Sequence, residues 1–221
     1  MASTAGTLAV LFRPTAAFNL PAGQLVGMAP PRMCTISSPN AFPGATFKNR
    51  GLLISSPGVK LQVSTKADES AQAAPLFGNL NANFPKLFIS FSPEKLFAPV
   101  HSTVTELSFT VPGSDVRATV SGFGAVFTDV DVAGVSKIEY FDLTGNPIHT
   151  EWVKAIPSKQ KSLSFVGVSF ANGKRIAKVK IYSGNINLGS WAAESNGKDA
   201  VAMDDFLYGE PKEASKPAPQ W

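Results

Sequence analysis

Cysteine is almost missing from this chain. A single thiol, Cys34, excludes an intrachain disulfide and a cysteine metal cage. Histidine is nearly as scarce, with only His101 and His149. The sequence contains no H-E-x-x-H, no G-x-S-x-G and no P-loop, so the signatures of zinc proteases, α/β-hydrolases and phosphate-cradling loops are all lacking. Cys34 lies far in sequence from either histidine, which argues against a Cys/His nucleophile pair. No apolar run approaches the ~18 residues of a membrane-spanning helix. Acidic residues are wholly absent from positions 1–67, which carry Arg13, Arg32, Lys48, Arg50, Lys60 and Lys66. The net charge of +4 therefore belongs to the N-terminal third. The remainder is near neutral, and nucleic-acid binding loses its electrostatic basis. Lys174, Arg175, Lys178 and Lys180 read as one solvated strand face.

Glycine (18), proline (17) and phenylalanine (16) are plentiful, while charged residues make up only 16%. That mixture suits an all-β domain with many turns. Short β-rich runs separated by turn signals predict strands at Leu52–Ser55, Lys60–Ser64, Lys86–Phe91, Val104–Val111, Val116–Thr128, Ser136–Phe141, Ile148–Lys154, Ser162–Phe170, Arg175–Ser183 and Ala200–Tyr208. Asn172-Gly173 is the strongest hairpin signal and predicts that the strands on either side of it are antiparallel neighbours. The alternation slips at Gly122–Gly124 and at Phe165–Val166, which predicts bulges or strands covered on both faces. The expected fold is an antiparallel two-sheet, jelly-roll-like sandwich over residues 40–211. Residues 1–39 read as a disordered leader or targeting segment. Their lack of acids fits an organelle transit segment better than a secretory signal. Residues 212–221 read as a disordered tail.

Two constellations carry chemistry. Asp204 and Asp205 interrupt the apolar run of the last strand, and an unpaired buried carboxylate is too costly to keep ionised. Asp129 and Asp131, two apart, project from one face of an extended segment. Asp199 comes shortly before the last strand. Oxygen-only ligands point to a hard cation, Ca²⁺ above all, with a structural role. The second constellation is aromatic. Trp191 stands in a glycine- and asparagine-rich loop, and Trp152 and Tyr182 lie on predicted strands. Such rings stack on sugars or line an interface. A carboxylate-pair hydrolase is the remaining catalytic alternative, with Asp142 or Glu139 opposite Glu151 or Asp204.

The ordered series SGFGAVFTDVD, IEYFDLTGN, SFVGVSF, RIAKVKIYSGNINLG and DAVAMDDFLYGEP resembles a group of uncharacterised single-domain β-sandwich proteins. These occur among exported proteins of cyanobacteria and other bacteria. The likeness runs from about Asn40 to Pro211. It implies an architecture similar to the jelly rolls of carbohydrate-binding modules, where an Asp-Asp pair near the last strand often serves a structural Ca²⁺. The leader, the missing acidic segment before the domain and the missing hydrophobic sorting tail depart from the group. The expectation is a non-catalytic binding module for a carbohydrate or a cell-surface or matrix component. It has no membrane span and no nucleic-acid partner, and it is exported or organelle-targeted rather than cytoplasmic. A structural or interaction protein without a small-molecule ligand is the rival.

Overall fold

In the computed structural model the described residues are 32–34, 47–58, 60–64, 75–91, 95–157, 161–171, 173–189 and 191–214. The strands are β1 (Arg32–Cys34), β2 (Leu52–Ser55), β3 (Lys60–Val63), β4 (Phe97–Val100), β5 (Val104–Thr110), β6 (Arg117–Thr119), β7 (Gly122–Thr128), β8 (Lys137–Phe141), β9 (Pro147–Trp152), β10 (Leu163–Ser169), β11 (Lys178–Tyr182), β12 (Ala202–Tyr208) and β13 (Lys212–Glu213). They form two antiparallel sheets. The first runs β10-β7-β12-β4-β3, with β1 also on β12. The second runs β13-β6-β5-β11-β8-β9, with β2 also on β5. The expected all-β sandwich is the observed one.

Period-2 alternation builds the main core. On β5, Leu107 and Phe109 are buried while Glu106 and Ser108 are only half-buried. The core between the sheets gathers Leu107, Phe109, Ile138, Tyr140, Val179 and Ile181 from the second sheet and Phe97, Phe123, Ala125, Phe127, Met203 and Phe206 from the first. Phe97 and Phe206 meet edge-on at 4.8 Å. A second cluster lies on the other face of the first sheet, where Phe77, Phe84, Phe88, Leu188 and Ala192 cover Ala98, Ala200 and Ala202. The first sheet is thus covered on both faces, and this explains both sequence slips. Phe123, Ala125 and Phe127 point to the main core, leaving Gly122, Gly124 and Val126 on the outer face of β7. Gly124 pairs with Gly167 of β10. The Phe165 ring lies over this pair, so that a Cβ built on Gly124 would come within 2.7 Å of it. Phe165 therefore points outward while its neighbour Val166 points inward.

β12 contains a bulge that the alternation does not mark. Met203 pairs with Phe127, but Phe206 pairs with Ala125, so Asp204 and Asp205 together oppose Val126. The extra residue keeps Met203, Phe206 and Tyr208 all in the main core despite their uneven spacing.

Several expectations are corrected. Lys86–Phe91 is not a strand. A single helical turn, Phe84–Leu87, occupies its start, with Pro85 in the first turn, and Phe84 stacks on Phe88 at 5.0 Å. The i, i+4 pair on one helical face outweighs the apparent alternation. Val116–Thr128 is two strands. Val120 still bridges to Ile176, and then the chain leaves the second sheet to enter the first as β7. The strands flanking Asn172-Gly173 are not partners, because β10 pairs with β7 while β11 pairs with β5 and β8. That connection crosses between sheets, and Asn172 itself lies outside the described residues. β4 has no alternation to mark it, because its FAPV run is buried almost throughout and contains a proline. Lys212–Glu213, assigned to the tail, pairs with Ala118 and Thr119. Arg32–Cys34, assigned to the leader, pairs with Phe206–Tyr208. The rest of residues 1–39, and with it most of the leader reading, lies outside the described residues.

The glycine pair yields a stability prediction. Gly124→Val places a branched side chain against the Phe165 ring and the Val166 carbonyl. Overpacking of this kind costs about 1–3 kcal/mol. Thermal unfolding should show a lower Tm for Gly124→Val, while Gly145→Ala, at an exposed turn where a Cβ meets nothing within 4 Å, should be milder despite its positive φ.

Candidate metal centre

The strand ends β7, β8, β10, β11 and β12 meet at one end of the sandwich, because Thr128 pairs with both Leu163 and Ala202, and Lys137 pairs with Tyr182. Asp129 follows β7 immediately. Its backbone is left-handed (φ 64°), a conformation that Asp tolerates better than most residues. Its amide donates to the Ser162 carbonyl at 3.0 Å, and the next residue, Val130, is buried in the main core. The chain therefore turns here instead of continuing extended, and Asp131 comes back beside Asp129.

The opposing wall is the loop between β11 and β12. Its neck is the bridge between Gly184 and Ala200. Gly184 has φ 72°, and a Cβ there would stand 2.2 Å from the Asp199 carbonyl, so no other residue fits. Within the loop the Asn185 side chain accepts from the Asp199 amide at 2.8 Å and donates to the Gly197 carbonyl at 2.7 Å. Ile186, Leu188 and Ala192 pack into the second core, and Asn81 donates to the Ala192 carbonyl at 2.9 Å. These contacts place Glu194 and Asp199 against Asp129 and Asp131.

Carboxylate oxygens of Asp129, Asp131 and Glu194 all lie within 4.8 Å of one another, an arrangement that can hold a metal ion. Asp199 joins them. Its Oδ2 accepts from the amides of Asp131 and Val132 at 3.1 and 3.0 Å, and its Oδ1 is buried without a hydrogen-bond partner. Glu194 Oε1 accepts from the Ala200 amide at 3.2 Å. Asp129 is 0% exposed, and neither of its carboxylate oxygens has a hydrogen-bond partner. Asp131 Oδ1 and the Ser162 hydroxyl are buried and unpartnered as well. Among the described residues no cation pairs with any of these acids. Such a group must bind a cation or hold protons.

Burial pushes Asp129 up to about 8, with further repulsion from Glu194, Asp131 and Asp199. Burial raises Glu194 to about 7 against the opposing Ala200 hydrogen bond, and Asp199 to about 6 against the two amides it accepts. Asp131 is raised by burial.

The other acids named from the sequence lie elsewhere. Asp204 and Asp205 are both buried (2% and 6% exposed) in the β12 bulge. Opposite Val126, they sit about three residues, or ~10 Å, down the strand from the Asp129 end. Asp204 Oδ2 accepts from the Phe91 amide at 2.5 Å, tying the segment after the helical turn to the sheet. The bulge explains why both are inside, where alternation allowed only one. The structure thus brings together Asp129, Asp131 and Asp199 but not Asp204 or Asp205, and it adds Glu194. No local pattern marks Glu194; only the closure of a long loop brings it in.

The acid pairs of the hydrolase alternative do not converge. Glu139 faces outward, bonded to Lys137 (2.5 Å) and Tyr182 (3.2 Å). Glu151 pairs with Ile138 on the core-facing side and meets His149 at 2.9 Å. Asp142 accepts from Thr144 and Asn146 within an exposed turn, and Asp204 belongs to the other sheet.

The aromatic residues separate. Trp152 (51% exposed) and Tyr182 flank Lys137 on the outer face of the second sheet, with its Nζ 5.2 and 4.6 Å from the two ring centroids. Trp191 is 63% exposed on the acid-bearing loop, its indole against Gly189.

No protein-family model and no curated protein matches the chain. Among solved structures it is similar to the enzymatically active domain of tailspike protein 4 of bacteriophage CBA120, at 11% identity and a TM-score of 0.32, over 77% of this chain. The chain spans about a fifth (21%) of that protein's length. A likeness this loose carries no argument about chemistry.

The raised acids give a pH prediction for metal-free protein. A carboxyl that binds its proton more tightly when folded contributes stability that is complete below its unfolded pKa, near 4, and lost as pH rises through the folded value. In chelator, Tm should therefore fall between pH 5 and pH 8, the window set by Asp199, Glu194 and Asp129. Asp129→Asn should flatten the fall, measured by differential scanning calorimetry.

Proposed function

We propose that the protein is a non-catalytic binding module in which a structural Ca²⁺ occupies the Asp129, Asp131, Glu194 and Asp199 centre, and that Trp191 contacts a carbohydrate or another cell-surface or matrix component. The full burial of Asp129, with both oxygens lacking a donor, carries the metal half of this reading. The donors are all oxygen, which favours a hard cation. Mg²⁺ keeps several waters, whereas Ca²⁺ accepts many protein oxygens in irregular geometry, so a gathering of several carboxylates favours Ca²⁺. Ser162, whose carbonyl accepts from the Asp129 amide, offers a neutral hydroxyl close by. A hydrolytic role fits poorly, because a substrate has no access to a fully buried Asp129.

The binding half rests on Trp191, a large ring exposed on a loop whose backbone is held by packed neighbours. Trp152 and Tyr182 support it less, because Lys137 already stands over both rings. The reading accords with export or organelle targeting, where such surfaces meet glycans.

Sites of the extracellular type have Kd values of roughly 0.1–1 mM. Millimolar Ca²⁺ should then stabilise the fold by about 0.4–1.4 kcal/mol, raising Tm by about 1–5 °C. Asp129→Asn and Glu194→Gln should abolish the rise. Asp204→Asn should retain it, because that carboxylate holds the Phe91 amide instead. A melting curve of chelator-treated protein that ignores Ca²⁺ contradicts the centre. For the ligand, a glycan array should show retention that Trp191→Ala loses, and binding that ignores Trp191 moves the contact elsewhere.

A further inference from the structure

The four acids come from two segments that lie far apart in sequence. Asp129 and Asp131 belong to the turn leaving β7, while Glu194 and Asp199 belong to the loop entering β12. Apart from Asp199 accepting the amides of Asp131 and Val132, the two segments face each other here with like charges. Trp191 lies three residues before Glu194, and the residue between its indole and that acid's segment, Ala192, is anchored by Asn81. The indole rests on the bare backbone of Gly189, where a Cβ would come within 2.9 Å of Nε1. Displacement of Glu194 therefore acts on a short, packed stretch that sets how the indole is presented. Asp131 and Glu194 are half-buried while Asp129 and Asp199 are buried, so an ion enters between the two segments from the solvent side.

We infer that the ion is a latch joining the β7 turn to the β11–β12 loop, and that its binding fixes the conformation in which Trp191 is offered to its ligand. The inference rests on the metal reading above. Metal and ligand then bind with positive cooperativity, and by linkage each raises affinity for the other, typically 5–150-fold in systems of this kind. Ca²⁺ should lower the frequency with which the loop opens locally while leaving remote turns unaffected.

Lys198 on the loop and Lys174 in the β10–β11 crossover are both exposed. The crossover follows Ser169, which pairs with Gly122 at the end of the sheet opposite Thr128. In chelator-treated full-length protein, brief trypsin digestion with and without 1 mM Ca²⁺ (about one to ten times the dissociation constant expected) compares the two cleavages. Their ratio cancels any effect of Ca²⁺ on the protease. Cleavage after Lys198 should slow about two- to elevenfold relative to cleavage after Lys174. In a Trp152→Phe/Trp221→Phe background the emission of Trp191 should shift over the same Ca²⁺ range, and Glu194→Gln should remove both responses. If Ca²⁺ raises Tm but neither the ratio nor the emission moves, the latch is wrong and the metal centre stands. If Ca²⁺ changes neither Tm nor these readouts, the metal reading falls and the latch with it. Loop protection without glycan retention leaves the latch intact and removes only the sugar.

Discussion

A carboxylate sealed from water with no donor to either oxygen cannot stay charged alone, and Asp129 is in that position. Its place is fixed from several sides. The amide is tied to Ser162, the next side chain is buried in the main core, and the left-handed backbone turns the chain toward Asp131. The acid cannot swing out to solvent without unpacking Val130. The remaining carboxylates add repulsion to the desolvation. The fold holds them together through Asn185, Gly184 and the second hydrophobic cluster, whose contacts are independent of charge. Such strain persists only where surrounding structure over-determines it.

The sandwich was largely legible in the sequence because one physical signal, period-2 alternation, reports directly on burial. β5 and β11 have that pattern and fall within a few residues of their expected bounds. The failures share a cause. Alternation loses its meaning where a strand is covered on both faces, as at Gly124 and Phe165, and where a buried run contains no polar phase, as in β4. Phe84 and Phe88 follow a different period, because their partners lie in the second cluster and not between the sheets. Asn172-Gly173 is a turn signal by residue type, but local turn chemistry does not specify which sheet the exit strand joins. The pairings of Lys212–Glu213 and Arg32–Cys34 depend on distant edges that flanking composition cannot reveal.

The site was legible only by halves. Asp129 and Asp131 stand out as two acids in an apolar setting, and Asp199 for its nearness to the last strand. The pair that looked most anomalous, Asp204 and Asp205, has another explanation. Two consecutive polar residues in a buried strand mark a bulge, and the bulge restores the phase of Phe206 and Tyr208 on the core face. One of the two then accepts a backbone amide from the covering segment. The anomaly was real, but for Asp204 the chemistry it reported was backbone satisfaction. Glu194 had no anomaly to report, since an acid in a polar loop is ordinary until the loop closes.

That closure also bears on why the loop is long. A short hairpin between β11 and β12 was never open to this chain, because the two strands belong to different sheets. Some excursion over the sandwich end is obligatory. This chain lays the excursion across the outer face of the first sheet, where Leu188 and Ala192 meet the helical turn. Apolar packing alone would hold the near side of the loop and leave the far side, from Ser195 to Lys198, exposed to water. The acids lie on either flank of that exposed stretch. A divalent ion bound there would supply attraction where the apolar cover ends. The same geometry that leaves Asp129 without a donor to either oxygen also leaves the loop without a tie at its far side, and one ion would answer both.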